Sequence, residues 1–163
     1  MLSKIKAFTL IELIVVIVII GVILSLTTLS IGDGGQGQRL EQEVQRFTAL
    51  FKLAQQEAIM QAKEMGVAID KQGYRFYVLQ SQQWQLLSSE VFHSYSWLSG
   101  MQVELFIEDK LLIWNEGESE PEVPAILILS SGELTPFELV IMSAWQYRLR
   151  GTRQGELLVQ KSS

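Results

Sequence analysis

A single carboxylate, Glu12, stands near the start of a stretch that is otherwise free of charged residues from Ala7 to Ile31. A carboxylate in hydrocarbon costs about 2.5–3.5 kcal/mol on insertion scales. The chemistry that offsets such a cost is pairing with a cation, and another chain could supply it. Other reactive side chains are sparse. The sole histidine, His93, lies in an aromatic stretch with Phe92, Tyr95 and Trp97. Ser131 and the many acids add the residue types of a hydrolytic triad, but no Gly-x-Ser-x-Gly elbow accompanies them. With no cysteine and one histidine, the chain cannot build a thiolate nucleophile, a disulfide, an iron–sulfur cluster or a histidine cage for a metal. The Gly32–Gly37 cluster lacks the lysine and preceding strand of a phosphate loop. The acids of Glu116–Glu122 alternate near a proline and read as a solvated loop. These residues point to no enzyme, no cofactor and no metal site.

The elements that must carry Glu12 begin with the apolar run. Leu13–Leu24 reads LIVVIVIIGVIL, in which nine of twelve residues are Val or Ile. Extended from Phe8 to Ile31 it makes 24 residues, about 36 Å of helix against a bilayer core of about 30 Å. Lys4 and Lys6 precede it, and no Lys or Arg follows before Arg39. The positive-inside rule therefore places the N-terminus in the cytoplasm and the rest of the chain across the membrane. The run is too long for the core of a cleaved secretory signal. A plain anchor would leave Glu12 without a purpose.

Lys6-Ala7-Phe8-Thr9-Leu10-Ile11-Glu12, running into that apolar stretch, resembles the class III leader of type IV pilins and type II secretion pseudopilins. The resemblance implies a leader, residues 1–7, that a membrane-bound prepilin peptidase cuts between Ala7 and Phe8, methylating the new amine on Phe8. Ala7 departs from the glycine usual before that cut. The resemblance further implies that Glu12 pairs in the assembled fibre with the N-terminal amine of a neighbouring subunit.

Past a Gly-rich break at 32–38, residues 39–163 read as one domain. Leu40, Val44, Phe47, Phe51, Ala54, Ala58, Ala62 and Met65 recur at steps of three and four, drawing one apolar stripe along a helix, with Gly66 as its stop. Strand signals follow: Val67–Ile69 and Tyr74–Leu79 around an Asp70–Gly73 turn, then 84–87, 91–97, 101–107, 111–114, 125–129, 137–142, 145–149 and 156–159. This order predicts an α+β fold, a long helix packed on an antiparallel β-meander or two-sheet domain.

The segment Ser130-Ser131-Gly132-Glu133-Leu134-Thr135-Pro136-Phe137, with Gly151 and Gly155 beyond it, resembles the domain of H-type minor pseudopilins, shared with FimT-type minor pilins. The implied fold is pilin-like. The implied role is structural: a subunit of the periplasmic pseudopilus of a type II secretion system, assembling with other minor pseudopilins and the major pseudopilin. It would be anchored once in the bacterial inner membrane, with its C-terminal domain in the periplasm. The alternative is a FimT-like pilin that binds DNA through Arg148, Arg150 and Arg153. A net charge of −5, and seven acids against one lysine between Glu104 and Glu122, argue against nucleic acid as a partner.

Overall fold

The apolar run forms a helix. In the computed structural model, which describes residues 10–28, 34–114 and 123–162, α1 spans Leu10–Thr28. Its Val and Ile content favours a strand, but a lone segment can close its backbone hydrogen bonds internally only as a helix. α1 is apolar on every side: Leu10, Ile11 and residues 13–20 are 45–78% exposed. Among the described residues no helix is long and apolar enough to cross a membrane, and the expected span of 8–31 reaches beyond α1 at both ends. Ala7, Phe8 and the acidic run 116–122 lie outside the described residues.

The chain divides into two units between Gly35 and Gln36. The second helix, α2, spans Gly34–Gln61. It therefore begins inside the segment that the sequence marks as a Gly-rich break. Gly in a helix costs about 1 kcal/mol against Ala, and packing compensates at Gly37. A Cβ there would lie 2.5 Å from Nε1 of Trp145, so only glycine lets the indole rest against the helix.

The stripe lands where its periodicity predicts as far as Ala58; beyond it Ala62 is exposed and Met65 begins a strand. Leu40, Val44, Phe47, Phe51, Ala54 and Ala58 are all buried, joined by Leu50. The helix end differs from expectation. Gly66 is not the stop; Ala62 takes the left-handed conformation with φ 51°. The Lys63 amide donates to the Ala58 carbonyl at 3.0 Å and the Ala62 amide to that of Ile59 at 3.3 Å, a Schellman motif built on alanine. Gly66 instead sits in a strand, where a Cβ would lie 2.5 Å from the Pro124 ring.

Ten strands follow among the described residues: β1 Met65–Ile69, β2 Gly73–Gln80, β3 Gln83–Leu86, β4 Tyr95–Ser96, β5 Gln102–Ile107, β6 Lys110–Leu111, β7 Ile126–Ile128, β8 Phe137–Met142, β9 Gln146–Gly151 and β10 Leu157–Ser162. They form two antiparallel sheets, one ordered β3-β2-β1-β7 with β4 on β2, the other β10-β9-β8-β5-β6. The meander holds for β1–β3 and β8–β10. It breaks where the chain moves to the second sheet at β5 and returns to the first at β7. The expected strand 91–97 shrinks to two residues. Phe92 and Trp97 drop into the core there, and the Trp97 indole donates to the Asp70 carbonyl at 2.9 Å. Residues 111–114 shorten likewise, with Trp114 donating to the Ile69 carbonyl at 3.0 Å.

α2 lies on both sheets. Phe47 meets Tyr74 of β2 edge-on at 5.0 Å, and Phe51 meets Phe137 of β8 at 5.3 Å. Leu105, Leu139, Ile141 and Leu149 line the same core from the second sheet.

Candidate functional site

Four groups of residues carry the functional expectations, and each has its own surroundings. Glu12 is in α1, between Ile11 and Leu13, which are 71% and 56% exposed. Nothing in this helix resembles a catalytic arrangement. What it offers is one acidic position on an apolar cylinder.

The Ser130–Phe137 segment is a tight turn between β7 and β8. The Gly132 amide donates to the Leu129 carbonyl at 2.9 Å, the Leu129 amide donates to that of Glu133, and Gly132 has φ 90°. Thr135 locks the turn to β7. Its Oγ1 accepts from the Leu127 amide at 3.1 Å, and its own amide donates to the Leu127 carbonyl at 3.0 Å. The glycine pair, Gly151 at the end of β9 and Gly155 on the β9–β10 connection, is there for close approach. A Cβ on Gly151 would lie 2.2 Å from the Phe137 ring, and one on Gly155, at φ 91°, would lie 2.4 Å from the Gly132 carbonyl oxygen. Gln55 of α2 donates to the Gly155 carbonyl at 2.9 Å, tying helix, turn and hairpin together. The signature thus builds a structural junction. Sequence reasoning missed Gln55, since nothing in an exposed-looking glutamine announces a partner a hundred residues away.

His93 is exposed, with its ring 4.0 Å from that of Tyr95. A buried ionisable group on α2 is structural too. Glu43 of α2 is 2% exposed, pairs with Arg46 and accepts from the Tyr74 hydroxyl at 3.2 Å. Burial, reinforced by the Glu43 carboxylate, pushes the Tyr74 phenol above its ordinary range. For Arg46 burial is the largest single influence and works downwards, but the hydrogen bonds and charges of Glu43 and Tyr74 together outweigh it and the guanidinium is raised. Among the described residues no group of three His, Cys, Asp or Glu could hold a metal.

The three arginines of the DNA-binding alternative already have acids. Arg148 Nε lies 3.2 Å from Glu138, and Arg150 Nη2 donates to the same carboxylate at 2.6 Å. That bond raises Arg150. Arg153 lies 3.9 Å from Glu108. Lys161 is drawn over the rings of Trp145 and Tyr147 at 4.9 and 5.7 Å. A phosphate backbone would have to displace these partners, so the patch is not a free cationic surface.

Comparison with known proteins decides between the readings. A family model described as type II transport protein GspH matches residues 43–155, and one for the prokaryotic N-terminal methylation motif matches residues 2–28. The chain belongs to the GspH family. This GspH-family chain is 33% identical over 140 residues to the type II secretion system protein H of Pseudomonas aeruginosa, covering 82% of this chain and 81% of that protein. Against the protein of the same name from Aeromonas hydrophila, identity is 28% over 147 residues, with 83% and 80% covered. Its fold matches the minor pseudopilin EpsH from the type 2 secretion system of Vibrio cholerae with a TM-score of 0.64 and 26% identity. That match covers 74% of this chain and 94% of that one. The solution structure of Escherichia coli GspH shares the fold, with a TM-score of 0.62 at 19% identity over 80% and 94% of the two chains. The GspH-family chain is thus a pilin-like minor pseudopilin of type II secretion, and the DNA-binding alternative is not favoured.

Proposed function

We propose that the chain works as an H-type subunit of a periplasmic pseudopilus, held in the inner membrane by the apolar segment 8–31 until it is incorporated. Prepilin peptidase removes residues 1–7 between Ala7 and Phe8 and methylates the Phe8 amine. In the fibre, Glu12 accepts the cationic amine of a neighbouring subunit, which offsets the desolvation of both charges and sets the register between subunits. The folded domain then links a tip complex of other minor pseudopilins to the shaft of major pseudopilins, or assists their assembly. Its contribution is mechanical, with no catalytic step.

The observation that carries this reading is a single acid on a helix apolar on every side. The test substitutes Glu12 by Gln and by Leu in the native secretion system. Both variants are expected to stay in the membrane at wild-type abundance or above, and to lose secretion and cross-linking to other pseudopilins. Full secretion with normal cross-linking in both would remove the ion-pair role.

A further inference from the structure

The second sheet ends at β10, which pairs with β9 on one side only. It is the longest open edge among the described strands: β10 has six residues, against four in β3, three in β7 and two in β6. Leu158 and Val159 are 48% and 42% exposed on it. Lys161, the charge that could blunt this edge, is engaged on Trp145 and Tyr147. An open edge of this length, with apolar side chains exposed on it, is a ready template for another strand.

Beside that edge runs a groove of about 430 Å³, with Val44 and Ala49 of α2 facing Tyr147 of β9 and Val159 of β10. Its course follows from two contacts already described. Gly37 rests against Trp145 at the start of β9, and Gln55 binds Gly155 between β9 and β10. α2 therefore follows the length of this hairpin, and the groove runs between its flank and β10. Glu41 and Lys52, also on the groove, stand eleven residues apart on α2. That is about 16 Å along a helix, or about five residues of extended chain. Lys52 makes no ion pair among the described residues, and Glu41 holds a 3.4 Å bond from Gln45.

We propose that this edge and groove receive an extended segment of a neighbouring pseudopilin, added to β10 as a further strand. A basic residue of that segment faces Glu41, an acidic one faces Lys52, and apolar side chains between them lie along the groove. Main-chain hydrogen bonds hold it, and the two charges fix its direction. A second copy of β10 does not fit this pattern: Leu157–Ser162 contains no acid to meet Lys52. The proposal rests on the fibre-subunit reading and names the partner surface within it.

The chain has no cysteine, so single ones report cleanly. Full-length protein carrying Gln45→Cys in the groove, Gln85→Cys on β3 or Ile14→Cys on α1 is expressed with the other pseudopilins of its system. Membranes are treated with a thiol–amine cross-linker, and the products are identified by mass. Gln45→Cys is expected to give a product with another pseudopilin and Gln85→Cys none. Adding Lys52→Glu should cut the Gln45→Cys product about tenfold, whereas Lys52→Arg keeps it; circular dichroism should be unchanged in both. Products with only a second copy of this chain overturn the proposed occupant. Silence at Gln45→Cys, with Ile14→Cys still cross-linking and secretion intact, overturns the docking surface and leaves the fibre reading standing. Silence at both positions with intact secretion overturns both.

Discussion

The two helices solve opposite problems. α2 carries its apolar residues on one side and finds their partners in its own chain: Phe47, Phe51, Ala54 and Ala58 are fully buried against the sheets. α1 is apolar on every side, and its described side chains stay largely exposed. A striped helix is completed by folding, whereas a uniformly apolar one is completed by lipid or by other subunits. Fold stability therefore resides in the first, and the membrane and fibre contacts proposed above fall to the second. Sequence changes should separate these two effects.

The largest effect should come from the striped helix. Phe51→Ala removes a ring packed on Phe137 and is expected to cost about 3–5 kcal/mol, read as a lower denaturant midpoint for the full chain in detergent. Val16→Ala on α1 should move that midpoint by no more than about 0.5 kcal/mol. Equal losses at the two sites would erase the distinction. Next comes the junction under α2. Gly155→Ala forces a side chain against the Gly132 carbonyl at a positive φ and should cost about 2–3 kcal/mol. Gln55→Ala removes one hydrogen bond and should cost about 1 kcal/mol.

A third experiment uses pH to probe how α2 is held. Tyr74 is raised by burial and by Glu43, so above about pH 10 the unfolded chain releases this proton more readily than the folded one. The stability that the neutral phenol contributes is complete below pH 10 and is lost as pH climbs from there. Thermal unfolding between pH 9 and 11.5 should show this loss, and Tyr74→Phe should flatten it. The smallest effect belongs to the end of α2. Ala62→Gly relieves a left-handed alanine and should stabilise the chain by about 0.5–1 kcal/mol, raising the melting temperature by a few degrees.

Much of this was legible in the sequence wherever a period coincided with burial. The α2 stripe, the Asp70–Gly73 hairpin and β8 from Phe137 to Met142 all follow from local pattern. In the hairpin Asp70 Oδ1 accepts from the Gln72 and Gly73 amides at 2.7 and 2.8 Å, a turn whose chemistry is written in its residue types. Local pattern did not mark Ala62 as the helix stop, because glycine is the residue expected in that conformation and an exposed alanine carries no such signal. It also read 91–97 as a strand, because alternating aromatics suggest one, whereas the core takes Phe92 and Trp97 out of the alternation. At the candidate site, the turn around Gly132 was visible in sequence. Gly155 was marked there only through the family resemblance, and neither its close approach to Gly132 nor its bond from Gln55 was visible, since long-range contact leaves no local trace.

The seat of Trp145 on Gly37 also bears on how the domain would carry load. Gly37 meets Trp145 at one end of α2, Gln55 holds Gly155 further on, and Ile59 touches Gly132 near the other end. These attachments span 22 residues, about 33 Å of helix. Traction entering α2 near Gly37 and directed along its axis is then shared by side-by-side contacts working in shear. None of them has to be peeled open before the next one bears force. A coupling of that kind is stiff along the axis and weak across it.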